Sequence, residues 1–209
     1  MRKTNSLSLP PEANGFTSPQ IALFQSFLGN ERTSQFSNTI ELWDAIPKYW
    51  ASRRNRKRKN GLLESARLAF CHRGIAYEVM IHPARVETAQ GKLIEVFPGE
   101  REEIIEDALR KLAAEKGRGF CDSHGPGVVF TTTQIRRLLE EHGHLINYPD
   151  LITSLRILLR STISLAREGE KHAFFESSII TALGAVSRED WRKDPSAKWY
   201  VRFNSLIEA

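Results

Sequence analysis

The stretch GVVFTTTQIRRLLEEHGHLINYPDLITSLRILLR, residues 127–160, decides how this chain is built. Val128-Val129-Phe130 is a β-branched and aromatic run of strand type. Thr131 and Gln134 stand at the spacing at which a capping hydroxyl and a returning side chain close the first turn of a helix. That helix carries Ile135, Leu138 and Leu139 on one face, and Gly143 closes it after His142. A tight connection, His144 to Asn147, leads to a second helix with Pro149 and Asp150 in its first turn. Leu151, Ile152, Leu155, Leu158 and Leu159 form the inward face of that helix. A β-rich stretch from Ser161 to Ala166 follows, then a polar turn, Arg167 to Lys171. Returning strand-like residues run from Phe174 towards Val186. Helix, short turn, helix and two-stranded ribbon is the order of a winged helix-turn-helix.

Upstream, the periodicity predicts a helix from Glu100 to Lys116, with Ile104, Ile105, Ala108, Leu109 and Leu112 as its apolar stripe. Its acids gather at the N-terminal end and its lysines near the C-terminal end, as the helix dipole favours. A short strand, Leu93 to Phe97, precedes it. Residues 66–86 read as a β-hairpin about a Cys71-His72-Arg73-Gly74 turn, with Tyr77, Val79 and Ile81 alternating after it. The block from Phe36 to Pro47 mixes strand-like and turn-like signals, and Pro19 to Leu28 spaces its apolar residues as a short helix. The expected fold class is therefore α+β: a winged helix-turn-helix with an additional N-terminal β-hairpin and helix. It occupies residues 20–209 as one domain behind a flexible arm, residues 1–19, which is rich in proline and serine.

Charge separates one segment from the rest. Arg53, Arg54, Arg56, Lys57, Arg58 and Lys59 fall within seven residues that hold no acid. Without these six the net charge of the chain drops from +5 to −1, so the basic character is local. Residues 53–60 are expected as an exposed basic loop, a patch that attracts a polyanion such as a nucleic-acid backbone. With 41% hydrophobic and 26% charged residues the composition is that of a globular domain, against wholesale disorder. The two cysteines are too few for a disulfide framework and fit a reducing compartment. No apolar run approaches the roughly 20 residues of a membrane span, and no apolar stretch follows Arg2 and Lys3 as a signal peptide requires. The expected location is the bacterial cytoplasm, with no membrane contact.

The candidate contacts with DNA are weighed against plainer roles. On the second helix, Thr153, Ser154, Arg156 and Arg160 point away from the leucines, and Thr153, Arg156 and Arg160 share one face. Such residues contact phosphates or base edges when the helix enters a major groove, or else form a solvated surface. Arg167 and Lys171 lie in the expected wing. Tyr49 and Trp50 read as core anchors. Cys71-His72 and the Cys121 to His124 segment are too far apart, with poor ligand spacing, for a zinc site, which leaves buried cysteines and solvated histidines. Glu102, Glu103, Glu106 and Asp107 read as the solvated face of one helix. Gly125-Pro126-Gly127 lacks the rest of a phosphate loop. No nucleophile constellation emerges, so no catalysis, metal or cofactor is expected.

Several of these segments resemble RepA/TrfA-type plasmid replication initiators: Phe36 to Tyr49, Ile81 to Val86, Phe97 to Lys111, Gly127 to Thr131 with its helix pair, and Ala185 to Phe203. The similarity runs over residues 19–209. It implies a non-enzymatic protein that binds repeated sites (iterons) in double-stranded DNA at a replication origin. It also implies self-association as a homodimer through the winged helix, with the host's initiator and replicative helicase as further partners. Family members commonly carry a second winged helix, and here the chain ends at Ala209, just after a strand. Two other functions fit the same residues: a winged-helix repressor of its own gene, and a dimerisation or host-protein docking module without DNA affinity.

Overall fold

The computed structural model describes residues 37–49, 58–59, 61–88, 91–122, 124–169, 174–187, 194 and 196–204. The chain divides into two units, Met1–Arg32 and Thr33–Ala209, and all of the described residues belong to the second. The expected short helix from Pro19 to Leu28 and the N-terminal arm lie outside them, as does Trp50.

The first element is a helix, α1 (Ser37–Ala45), where the sequence mixes strand and turn signals. Tertiary packing overrides the weak local preference: Leu42, Trp43 and Ile46 recur at helical spacing and are buried. Two short strands follow, β1 (Arg58–Lys59) and β2 (Leu62–Leu63), paired antiparallel about Gly61 at φ +81°. The end of the basic run is thus strand rather than loop.

β3 (Ala66–His72) and β4 (Ile75–His82) form the expected hairpin, closed by Arg73 and Gly74. Both turn residues have positive φ, 49° and 77°, the conformation that matches the right-handed twist of the strands. After Pro83 the chain leaves that sheet and forms a separate ribbon, β5 (Ala84–Glu87) with β6 (Leu93–Val96). Helix α2 (Glu100–Ala114) comes next, then β7 (Gly119–Asp122) and β8 (Gly125–Thr131). Helices α3 (Thr132–Glu141) and α4 (Tyr148–Arg160) are the expected pair. The remaining strands are β9 (Thr162–Arg167), β10 (Phe174–Ser178), β11 (Ile180–Val186) and β12 (Lys198–Phe203).

Two four-stranded antiparallel sheets result, in the orders β10-β9-β4-β3 and β11-β12-β8-β7. The single returning strand expected from Phe174 to Val186 is therefore two strands, one in each sheet. Ile179 and Ile180 are both fully buried, which breaks the period-two alternation where the chain crosses over. The β9–β10 hairpin, expected as a wing, does form, but β9 also pairs with β4, so it is not a free-standing ribbon. The architecture is α+β and mostly sheet. Val79, Ile81, Ile105, Leu109, Phe130, Leu155 and Leu158 lie at the heart of the apolar core.

Three expectations about side chains are corrected. Glu102 and Glu106 are buried in α2 rather than solvated. Ser154 is fully buried and faces α2, not solvent. Cys71 and Cys121 are exposed free thiols. Cys71 alternates with the inward Phe70, on the same outer face as Arg67 and Ala69, and Cys121 lies on the edge strand β7.

Candidate nucleic-acid interface

Helix α4 is fixed at its start by Asn147, whose Oδ1 accepts the Asp150 N–H at 2.8 Å, with Pro149 in the first turn. The connection from α3 is held by Gly143 at φ +82° and by Arg136, whose Nε donates to the Ile146 carbonyl at 3.0 Å. Leu151, Ile152, Ser154, Leu155, Ile157 and Leu158 are all buried, so α4 is enclosed on most of its circumference. Pro149, Thr153, Arg156 and Arg160 form one accessible stripe, and Tyr148, Asp150 and Leu159, the last expected to face inward, are only partly covered. The three candidate residues of this helix do share that stripe. The Thr153 hydroxyl is turned back to the Pro149 carbonyl at 2.8 Å.

A buried carboxylate sets the helix against its scaffold. Glu102 accepts the Ser154 hydroxyl at 2.7 Å and the Gly99 N–H at 2.9 Å, and Arg101 Nε lies 3.3 Å away. One side chain thus closes the first turn of α2 and fastens it to the middle of α4. The Gly99-to-Glu102 spacing was the available signal, concealed because four acids in six residues read as solvated.

The ribbon β5–β6 lies along the other flank of α4. Ala84, Val86 and Ile157 form a buried cluster with Ile94 and Val96 packed on it. Arg160 reaches from the end of α4 to the β5 edge and donates from Nη1 to the Arg85 carbonyl at 2.9 Å. Across the ribbon Glu95 uses both carboxylate oxygens. Its Oε1 accepts Arg85 Nη2 at 2.8 Å, and its Oε2 accepts the Leu63 N–H of β2 at 2.9 Å. In register, Leu63 opposes Arg58 and Leu62 opposes Lys59. The ribbon therefore has the α4 arginine bonded to one strand and the hairpin of Arg58 and Lys59 tied to the other. Neither Arg85 nor Glu95 was picked out from the sequence, because alternation in a four-residue strand carries no sign of what lies beside it.

The remaining candidates divide. Arg53, Arg54, Arg56, Lys57 and Lys171 lie outside the described residues. Arg167 ends β9 opposite Tyr77 and shares its sheet face. The length of that strand, roughly 20 Å at 3.3 Å per residue, separates it from Arg160. The structure places Arg167 at the far end of β9 from Arg160.

The residues that lead into the basic run are firmly held. Glu106, buried in α2, accepts Trp43 Nε1 at 2.8 Å and the Tyr49 hydroxyl. Lys48 Nζ lies 3.9 Å from the same carboxylate, donates to the Trp43 carbonyl at 2.9 Å, and sits 4.9 Å from the Trp43 ring centroid. Burial pushes the Lys48 ammonium below its ordinary pKa, against the pull of Glu106. Burial, with the Glu106 charge and hydrogen bond, pushes the Tyr49 hydroxyl well above its own. Tyr49 is the anchor its sequence context suggested.

No protein-family model and no curated protein matches the sequence. Among solved structures, a crystal structure of domains 2 and 3 of RctB matches with a TM-score of 0.51 at 11% identity, covering 79% of this chain. A second, of RctB residues 155–483, gives 0.47 at 11% identity over 76% of this chain. The chain spans 59% and 57% of the length of those two structures. At such identity the likeness is one of fold, shared between most of this chain and part of the RctB structure of domains 2 and 3.

Proposed function

We propose that this chain is a DNA-binding part of a replication initiator of the RepA/TrfA plasmid type. It docks on double-stranded iterons at an origin and self-associates. The observation that carries the reading is the ribbon β5–β6, which has Arg160 of α4 bonded to one strand and the Arg58–Lys59 hairpin tied to the other. The shared fold with RctB, a chromosome replication initiator, supports the same class. The action is one of binding rather than catalysis. Phosphate contacts from the basic run and the α4 stripe position the duplex, and any reading of bases falls to Thr153, Arg156 and Arg160 on α4. On this reading α3 and α4 act as the helix-turn-helix of a winged helix.

The test is fluorescence anisotropy of the chain with its own replicon's repeat duplex and with a scrambled duplex, at low and near-physiological salt. Preference for the repeats that survives salt supports the initiator reading. Neutralising Arg53, Arg54, Arg56 and Lys57 together lowers the log–log salt slope by up to about 0.9 for each phosphate that is no longer neutralised. An unchanged slope removes the run from the interface, and no binding at either salt leaves a docking module.

A further inference from the structure

The sheet β11-β12-β8-β7 packs one side on the core, with Phe130, Trp199, Val201 and Phe203 buried, and turns the other side outward. Lys198, Tyr200 and Arg202 of β12 alternate onto that outer side, about 7 Å apart at two residues each. Tyr200 stands on a central strand, opposite Gly184 of β11 and Val129 of β8. A Cβ at Gly184 would meet the Tyr200 ring, 2.2 Å from Cε1, 2.7 Å from Cζ and 3.0 Å from Cδ1. The ring therefore lies across the glycine backbone, and the residue is still 40% exposed. Phe120 of β7 repeats the device, since a Cβ at Gly127 would stand 2.3 Å from its Cζ. Arg202 lies over the Phe120 ring, 5.2 Å from the centroid, and Asp122 on the same face holds it through both carboxylate oxygens. Lys198 is exposed, two residues along the strand from Tyr200.

A ring laid on a sheet, open on its outer side and flanked by a cation, suits an unpaired base and the phosphate beside it. A duplex cannot use such a ring, because its bases are covered by their neighbours in the stack. A protein partner would have to bury Lys198 and the Arg202–Asp122 pair with the rings, and charged residues are depleted at the cores of protein interfaces. We infer that this face binds a single-stranded nucleic acid, with an unpaired base stacked on Tyr200 and a neighbouring phosphate on Lys198. Phe120 and Arg202 form a second planar surface one row along the sheet. The site shares no residue with the proposed duplex interface and does not rest on it.

The test is fluorescence anisotropy of the full chain with a labelled DNA thymidylate oligomer and an RNA uridylate oligomer, with thermal melting as the control for folding. The oligomer that the unaltered chain binds more tightly identifies the source of the strand. Tyr200→Leu still covers Gly184 but has no ring, and it weakens binding of that oligomer about ten- to a hundredfold. Tyr200→Phe keeps the ring and the affinity. Lys198→Gln lowers the log–log salt slope by about 0.7. An abasic oligomer, which has the charge without the bases, binds the unaltered chain and Tyr200→Leu alike. Full affinity in Tyr200→Leu overturns the inference, as does an equal loss for the abasic oligomer. If Tyr200→Leu instead turns a dimer into a monomer in sedimentation and keeps its oligomer affinity, the face is a contact between copies and the inference falls. Failure of the unaltered chain to bind either oligomer also overturns it, whereas failure to bind duplex overturns the proposed function alone.

Discussion

Glu106 shows how one residue's environment changes the meaning of its type. On an isolated helix, a glutamate beside Asp107 and near Glu102 and Glu103 belongs to the solvated face. Here Trp43, Lys48 and Tyr49 close over it and supply two hydrogen bonds and a charge partner. A buried carboxylate so satisfied is tolerated, while its removal strands the groups around it. Glu106→Ala leaves the Trp43 N–H and the Tyr49 hydroxyl without their acceptor and the buried Lys48 ammonium without its charge partner, and should cost about 3–5 kcal/mol. Glu106→Gln keeps an acceptor for Trp43 and should cost clearly less. Urea unfolding of both variants reads the difference, and equal destabilisation would show that the charge on Glu106 has no part in the clasp.

At the scale of the element, the caps are the features most directly written in the chain. Thr131 accepts the Gln134 N–H at 3.3 Å, and Gln134 returns its Oε1 to the Thr131 N–H at 2.8 Å. The pair was legible because it needs only residues three apart. Thr131→Ala removes the hydroxyl acceptor and should lower stability by about 1 kcal/mol. A chemical-denaturation midpoint reads it, and a change within error would mean that water or a neighbour replaces the cap. The edge strands are where such local reading ends. Nothing in Ala84–Glu87 says that its free edge lies along α4, and nothing in Thr162–Arg167 says that β4 takes its second side. The expected wing was therefore placed on β9–β10, while the ribbon that stands alone beside α4 is β5–β6.

At the scale of the whole molecule, stability depends on pH through acids held low by their partners. Arg202 donates to both oxygens of Asp122, at 2.6 Å each, and the His124 N–H donates at 2.8 Å. These bonds hold the Asp122 carboxyl well below its ordinary 3.8. Asp194 is lowered likewise by the Ser187 and Ser196 hydroxyls and by the backbone N–H groups of Ser196 and Ala197. An acid whose pKa is lowered by folding makes the unfolded chain the better proton binder, so stability rises with pH through that window. The contribution is complete above 3.8 and is lost as pH falls through the folded value. Asp122→Asn should therefore show a shallower fall in melting temperature from about pH 4 to pH 2 than the unaltered chain. Superimposable acid limbs would remove Asp122 from that dependence.

By itself the sequence determined the elements whose causes are local: the helix pair with its caps, the Arg73-Gly74 turn, the amphipathic α2, and the concentration of charge in residues 53–59. Each follows from spacing, a capping side chain or a backbone angle within a few residues. Tertiary structure alone decided that Phe174–Val186 divides between two sheets, that Glu102 and Glu106 become buried acceptors, and that α1 is helical at all. It also decided that Glu95 joins Leu63 to Arg85, and that Arg160 bonds to that strand from α4. Those outcomes depend on partners tens of residues away, and a carboxylate or a strand edge carries no local mark of the group that will satisfy it.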